Sequence, residues 1–344
     1  MTRYLLGRVL GLAAVLLVTS FLVFSAVHLA PGDPVSFLLK GHPATPEARA
    51  AIAAQYHLDD PFLVQYGKWL GGALHGDFGR SVQFRQDVGE LIGSRLPGTA
   101  LLIGYAAVLV CLGGTLVGAA AALRPGPLDR LVLIGTGVAT ATPPFVSAIA
   151  LVSLFAVRLG WFPGPGSQGT GLVDRLHHLT LPAFALAVTL AGLLARVTRS
   201  AMLDELGRDH VEAARSRGVP ERQVIRRHVL RGALGPVVTV GGTTLAGLLV
   251  STSVVETAFN TTGVGSLLVQ SVGAKDLPVV QAVTLLTVLC FGLVNLAVDL
   301  LGPLIDPRTA RTVRRGRRTA QAGPDTPTAP TAPTGPGAPA GGAA

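Results

Sequence analysis

Asp209-His-Val-Glu-Ala-Ala-Arg-Ser-Arg-Gly-Val-Pro-Glu-Arg-Gln-Val-Ile-Arg-Arg-His-Val-Leu-Arg-Gly-Ala-Leu-Gly-Pro236 is a charged island set between two long apolar runs. From Asp204 to Arg217 the pattern predicts a helix lying at a membrane surface. Val211 and Ala214 share one face at i, i+3 spacing, Ala213 flanks them, and Gly218 supplies the C-terminal stop. Val219-Pro220-Glu221 then restarts a helix, with Pro in its first turn and Glu near the positive N-terminal end. Two physical readings of this amphipathic segment stand side by side. Small Ala213, Ala214 and Gly218 permit close docking into a groove on a partner; alternatively the helix rests on lipid, with Arg215 and Arg217 at the headgroups.

The runs on either side settle the class of protein. Mean hydropathy is +0.53 and only 14% of the 344 residues are charged, too apolar for an ordinary soluble domain. An apolar stretch of about 20 residues spans a bilayer as a helix. Six candidates appear: Val9–Leu29, Thr99–Ala122, Leu131–Val157, Leu181–Ala195, Ala233–Val255 and Val279–Leu304. The fourth is the shortest and is opened by Pro182. The first is expected to be a retained span, since its uncharged core from Val9 to Val27 exceeds a signal-peptide h-region and no Ala-x-Ala site follows.

Charge placement gives the expected orientation. Nineteen of the 28 Lys and Arg fall at the N-terminus, in the second-to-third and fourth-to-fifth connections, and in the C-terminal tail. These segments share one side, so both termini are expected in the cytoplasm. Pro31–Gly98, with six basic and seven acidic residues, belongs outside, as do Lys40, Lys68 and Lys275. The net charge of +9 therefore reflects topology and lipid headgroups rather than a nucleic-acid partner.

Between the spans, His28-Leu-Ala-Pro-Gly-Asp-Pro34 turns the chain at the membrane surface. The segment after it is expected to be a small outer subdomain, with helices at Ala44–Tyr56 (Thr45 as N-cap, Pro46 first) and Pro61–Leu70, then a simple turn at Gly76-Asp-Phe-Gly-Arg-Ser81. Gly114-x-x-x-Gly118 and the Gly242/Ala246 pair predict close helix packing. Pro143-Pro144 should kink the third span, either to line a cavity or for packing. His177-His178 sits in a predicted loop, Gly160–Leu181, as a solvated feature. Cys111 and Cys290 read as small buried hydrophobes without disulfide or metal spacing. Thr319–Ala344 is Ala/Pro/Thr/Gly repetition, expected to be disordered.

The span middles hold no ionisable residue, and Asp299 is the one acidic residue within a span. Ion-coupled carriers place ionisable groups there to bind the coupling ion, so driving energy is expected from elsewhere. Ser147 and Ser153 lack a His or Lys partner nearby in sequence and read as packing hydroxyls. The chain holds no P-loop: Lys68 is the one lysine after a glycine, and Phe62 and Trp69 stand where the motif needs Gly and Ser/Thr. No catalytic, metal or cofactor site is expected on this chain.

Glu212-Ala-Ala-x-x-x-Gly218 resembles the EAA motif of ABC-importer permease subunits. The longer frame of Asp209, Val211, Ala214, Arg215, Gly218, Val224, His228, Leu230 and Pro236 is similar to the variant in peptide/nickel permeases of the dipeptide-permease B type. Arg3-Tyr-Leu-Leu-Gly-Arg8, Leu29–Pro34, Gln65–Leu70, Gly76–Ser81 and Asp306-Pro-Arg308 fall in the expected order, so the resemblance covers about Met1–Arg311. Gly232 replaces a frequent Asn, and Phe259-Asn-Thr-Thr-Gly-Val-Gly265 replaces a more usual Ser-x-Pro-Gly-Leu-Gly.

The resemblance implies an all-α integral membrane protein with six transmembrane helices in the ABC type I importer permease fold. Its implied layout is an N-terminal segment and first span (1–30), an extracytoplasmic subdomain (31–98), a permease core (99–306, coupling loop 204–236) and a tail (307–344). It implies a bacterial cytoplasmic-membrane subunit importing peptides with a second homologous permease, two cytosolic ATPases that bind the ATP, and an extracytoplasmic solute-binding protein. Asp209, Val211, Glu212, Ala213, Ala214, Arg215 and Gly218 would form the ATPase-coupling site. Alternatives are nickel or another small solute carried by the same architecture, an export or scaffold component, and a secondary carrier whose uptake survives ATP depletion. Phe155, Asn260 and Asn295 are open between cavity and packing roles.

Overall fold

The computed structural model describes residues 2–29, 45–47, 60–166 and 171–305. Within them the chain is helical: α1 Thr2–Leu29, α2 Phe62–Leu74, α3 Val88–Leu123, α4 Pro127–Ala141, α5 Pro144–Arg158, α6 Leu172–Leu206, α7 Asp209–Ser216, α8 Glu221–Ala258, α9 Val264–Gly273 and α10 Leu277–Ile305. No strand occurs among the described residues; one isolated bridge joins Arg80 and Asp87. The expected helix Ala44–Tyr56 lies mostly outside them, with Pro46 and Glu47 helical. The tail, the Asp306-Pro-Arg308 motif and the exit Pro31–Pro34 also lie outside.

Five helices, α1, α3, α6, α8 and α10, are long and apolar enough to cross a membrane. The third expected span is different. Its halves, α4 and α5, meet at 105° rather than forming one kinked rod. Thr142 and Pro143 are both extended (ψ 118° and 146°), because Pro144 disfavours a helical residue before it and Pro143 has no N–H to continue the ladder.

Helix ends move too. α3 starts at Val88, so the boundary drawn at 98 falls inside a helix. Asp87 caps that start, accepting from Gly89 N (2.8 Å) and Glu90 N (3.2 Å). The short fourth span is the middle of a 35-residue helix, α6. Its polar flanks hid its length, and His177 and His178 lie on its first turns rather than in a loop. His178 Nδ1 stands 3.3 Å from Asp174 Oδ1 one turn earlier. Arg196 and Arg199 extend the same helix past Ala195.

α6 is the central post. Buried residues of α3 (Leu102, Ala106, Val110), α5 (Ala148), α6 (Leu186, Leu194) and α8 (Leu248, Val255) form one core. A Cβ on Gly114 would press on Leu194, and one on Gly118 would overlap the Ala195 carbonyl, so the small pair lets α3 lie directly on α6. Gly242 brings α8 equally close to Val298 of α10. Arg8 of α1 pairs with Asp299 of α10 at 3.0 Å, which gives the acidic residue of that span a partner. Cys111 and Cys290 are half-buried rather than buried. Asn295 Nδ2 donates within its own helix to the Phe291 carbonyl (2.9 Å), and Phe155 packs on Trp161 and Phe162.

Candidate functional site

The charged island is split differently from its sequence pattern. α6 runs through Asp204 and stops at Gly207; α7 is a separate two-turn helix beginning at Asp209. The restart at Pro220 is the beginning of α8 itself, which continues unbroken through Pro236 to Ala258. α7 is thus a short crosspiece joining the ends of the two long central helices.

Its C-terminus is locked by backbone geometry. Gly218 adopts φ +74°. Its N–H donates to Arg215 O (2.9 Å), and Val219 N–H donates to Ala214 O (3.2 Å). This is the paired pattern of a Schellman motif, which needs a left-handed residue at the glycine position. Across the same break Arg215 grips Glu221 with two hydrogen bonds, 2.6 and 3.1 Å. The Glu221 contact pushes the Arg215 pKa above its already high ordinary value, so the pair stays ionised wherever Glu221 is a carboxylate.

The two faces of α7 do different things. Val211 (0% exposed) and Ala214 (8%) are buried with Met202 of α6, Val224 and Val229 of α8 and Ala122 of α3. They are therefore seated in this chain and are not free to enter a partner's groove. Asp209, Glu212, Ala213, Arg215 and Gly218 are exposed. Sequence spacing correctly put Val211 and Ala214 on one face; it could not say that α6 and α8 cover that face.

Three buried carboxylates escaped the sequence analysis. Glu205, on the last turn of α6, meets Arg208 Nη1 at 3.0 Å and His210 Nε2 at 3.7 Å. Gly232 of α8 packs directly against this carboxylate. Glu256 lies one residue past the predicted end of the fifth span, inside α8 and 1% exposed. It accepts from Thr99 Oγ1 (2.6 Å) and from the Ser266 N–H (2.9 Å), tying α3, α8 and α9 together at the end opposite α7. The carboxylate stands two residues from the C-terminal end of α8, outside the middle of the span, and is engaged by protein donors. Asp276, fully buried, accepts from Ser81 Oγ (2.5 Å), Gln83 N (2.9 Å) and Val82 N (3.3 Å), so the Gly76–Ser81 turn leads into an anchored segment rather than standing alone. The signal available for Glu256 was an acid at the end of an apolar run followed by Gly263-Val-Gly265, whose close backbone leaves room for a carboxylate. Among the described residues no three His, Cys, Asp or Glu side chains gather at metal-binding distance.

Residues 114–311 match the family described as the binding-protein-dependent transport system inner membrane component, and residues 1–103 match its N-terminal companion. The chain belongs to this family. The permease is 40% identical over 308 residues to the glutathione transport system permease protein GsiC of Salmonella typhimurium, covering 89% of this chain and 98% of that one. It is 36% identical over 315 residues to the oligopeptide transport system permease protein AppB of Bacillus subtilis, covering 90% and 99%. A chain of the inward-facing MetNI methionine ABC transporter superposes with a TM-score of 0.52 at 21% identity, covering 63% of this permease and 96% of that chain. That likeness establishes the type I importer permease fold. The permease is a multi-pass inner-membrane component of an ABC importer, a transporter subunit that works with ATPase and solute-binding partners.

Proposed function

We propose that this chain forms half of the translocation pathway of a peptide importer, paired with a second homologous permease and driven by two ATPase subunits that bind the ATP. The single observation that carries the coupling role is the seat of α7. Val211 and Ala214 share one buried cluster with the ends of α6 and α8, so a push on α7 is delivered to both central helices at once. The exposed face, Asp209, Glu212, Ala213, Arg215 and Gly218, is the surface offered to the ATPase. Val211 and Ala214 transmit the movement as the anchored face beneath it. The positive-inside rule, applied to the basic residues at the α7 end, supports a cytoplasmic reading of that end and of both termini. Cargo follows from the relatives: glutathione and oligopeptides, named for GsiC and AppB, are both peptides.

The test is reconstitution of the chain with its partner permease, ATPases and binding protein in vesicles. Labelled di- and oligopeptides should accumulate only with ATP on the α7 side and binding protein on the other. Accumulation that survives ATP depletion would overturn the coupling, and transport of nickel without peptide would overturn the cargo.

A further inference from the structure

The segment between α1 and α3 was expected to stand outside the membrane, yet its helix α2 packs against the side of α1 rather than beyond its apolar run. Tyr66 of α2 hydrogen-bonds Ser20 of α1 (2.7 Å between hydroxyls) and donates to the Leu17 carbonyl (3.4 Å). Phe62 and Tyr66 meet Phe21 edge-on and Phe24 at a tilt, with ring centroids 5.4 to 5.8 Å apart, and Trp69 packs tilted on Phe24 at 5.4 Å. The crossing is therefore at Ser20–Phe24.

The depth of that crossing can be measured along α1. Its apolar run begins after Arg8, which pairs with Asp299 at the α7 end of the bundle. At about 1.5 Å per residue, Ser20 and Phe24 stand about 18 and 24 Å beyond Arg8. A hydrocarbon core is about 30 Å thick, so the crossing lies about 6 to 12 Å inside its far boundary.

The uncovered face of α2 has the matching chemistry. Phe62, Tyr66 and Trp69 turn toward α1, while Leu63 (69% exposed) and Val64 (45%) face away. Gln65 is buried and donates to the Asp60 carbonyl (2.8 Å), while Lys68, one turn beyond Val64 and with its side chain 48% exposed, pairs with Asp60 at 2.7 Å, its long stem able to carry the ammonium toward the headgroups. α1 likewise exposes Val18 and Leu22. A helix with unpartnered leucine and valine at hydrocarbon depth, beside a lipid-facing span, has acyl chains as its fitting neighbour.

We propose that α2 is immersed in the leaflet opposite α7, with Leu63 and Val64 against lipid acyl chains and the aromatic cluster fastening it to α1. The segment joining α1 to α3 then has a membrane-embedded foot rather than being a wholly aqueous subdomain.

The assembled transporter in its native membrane supplies the test, with Cys111 and Cys290 replaced by Ala and a single thiol introduced at Leu63→Cys, Val64→Cys or, as an exposed control, Gln86→Cys. The expected result is loss of reaction with a hydrophilic maleimide at 63 and 64 while 86 reacts, together with insertion of a membrane-soluble aryl diazirine into wild-type Leu63 and Val64, read by mass spectrometry. Maleimide reaction at 63 and 64 equal to that at 86 places α2 in water and overturns the proposal. Protection from both reagents means that protein covers the face, which overturns it equally. The control reacts in intact cells if α7 is cytoplasmic and only in inverted vesicles if it is not, so an error in orientation separates from an error about α2.

Discussion

Gly232 of α8 leaves the room that the buried Glu205 carboxylate of α6 occupies, since a Cβ at 232 would overlap it. The two residues bring the end of α6 and the start of α8 into direct contact beside α7. Gly232→Ala should therefore either strain the packing or swing Glu205 away from Arg208, and overpacking of this kind costs about 1–3 kcal/mol. The thermal midpoint of the purified complex should fall. Adding Glu205→Ala removes the obstacle, so the double variant should lose less than the two single losses together. Strict additivity would show that the contact carries no coupling.

Gly218 makes a second prediction, because its φ of +74° is imposed by the α7 stop while nothing stands within 4 Å of its added Cβ. An L-residue held in that conformation costs about 1–2 kcal/mol, and Asn tolerates it better than others. Gly218→Asn should keep transport. Gly218→Trp should still insert in the membrane, since its bulk projects into open space, yet abolish uptake and co-purification of the ATPase. Undiminished transport by the Trp variant would remove α7 as the docking element.

The opposed faces of α7 separate stability from docking. Val211→Asn places an amide in an apolar cluster with no partner, at a cost of about 1–3 kcal/mol by mutational comparison, and should lower the unfolding midpoint. Ala213→Trp changes an exposed position, so its effect on stability should stay within about 0.5 kcal/mol, while ATPase co-purification falls. If the two variants moved both measurements together, the division between an anchored and an exposed face would fail.

The sequence made some of this legible for identifiable reasons. Long apolar runs located five helices, and Gly114 and Gly118 announced the α3 contact, because bilayer length and small-residue spacing are local signals. Gly218 was readable as a stop because a left-handed cap has a near-unique residue requirement. The length of α6 was not readable, since Asp174, His177, Arg196 and Arg199 interrupt its hydropathy without interrupting its backbone. Nor was the seat of Val211: a two-residue apolar face looks the same whether Met202 and Val224 of its own chain or a partner covers it. Glu256 was missed by one residue, because a hydropathy window ends where a charge begins, whereas the helix ends where its backbone hydrogen bonds do.

That carboxylate gives the last test. Glu256 accepts from Thr99 Oγ1 at 2.6 Å and from Ser266 N at 2.9 Å, and Thr99 Oγ1 in turn accepts from Val264 N at 2.8 Å. The first turn of α9 is thus held by one acid on α8 and one hydroxyl on α3. Glu256→Ala strips two buried donors of their acceptor, at about 1–3 kcal/mol for each group left unsatisfied. Glu256→Gln keeps one oxygen but turns an NH2 toward a donor, so it should fall between wild type and Ala. Thr99→Val breaks the same network, and the Glu256→Ala/Thr99→Val pair should cost less than the sum of its parts, because both remove the same bond. Thermal midpoints measure the order of the variants, and hydrogen exchange at the Ser266 amide measures the local effect, which should be faster exchange in every variant lacking the carboxylate. A Ser266 amide as protected in Glu256→Ala as in wild type would show that α9 is held by packing through Leu267 and Val264 alone.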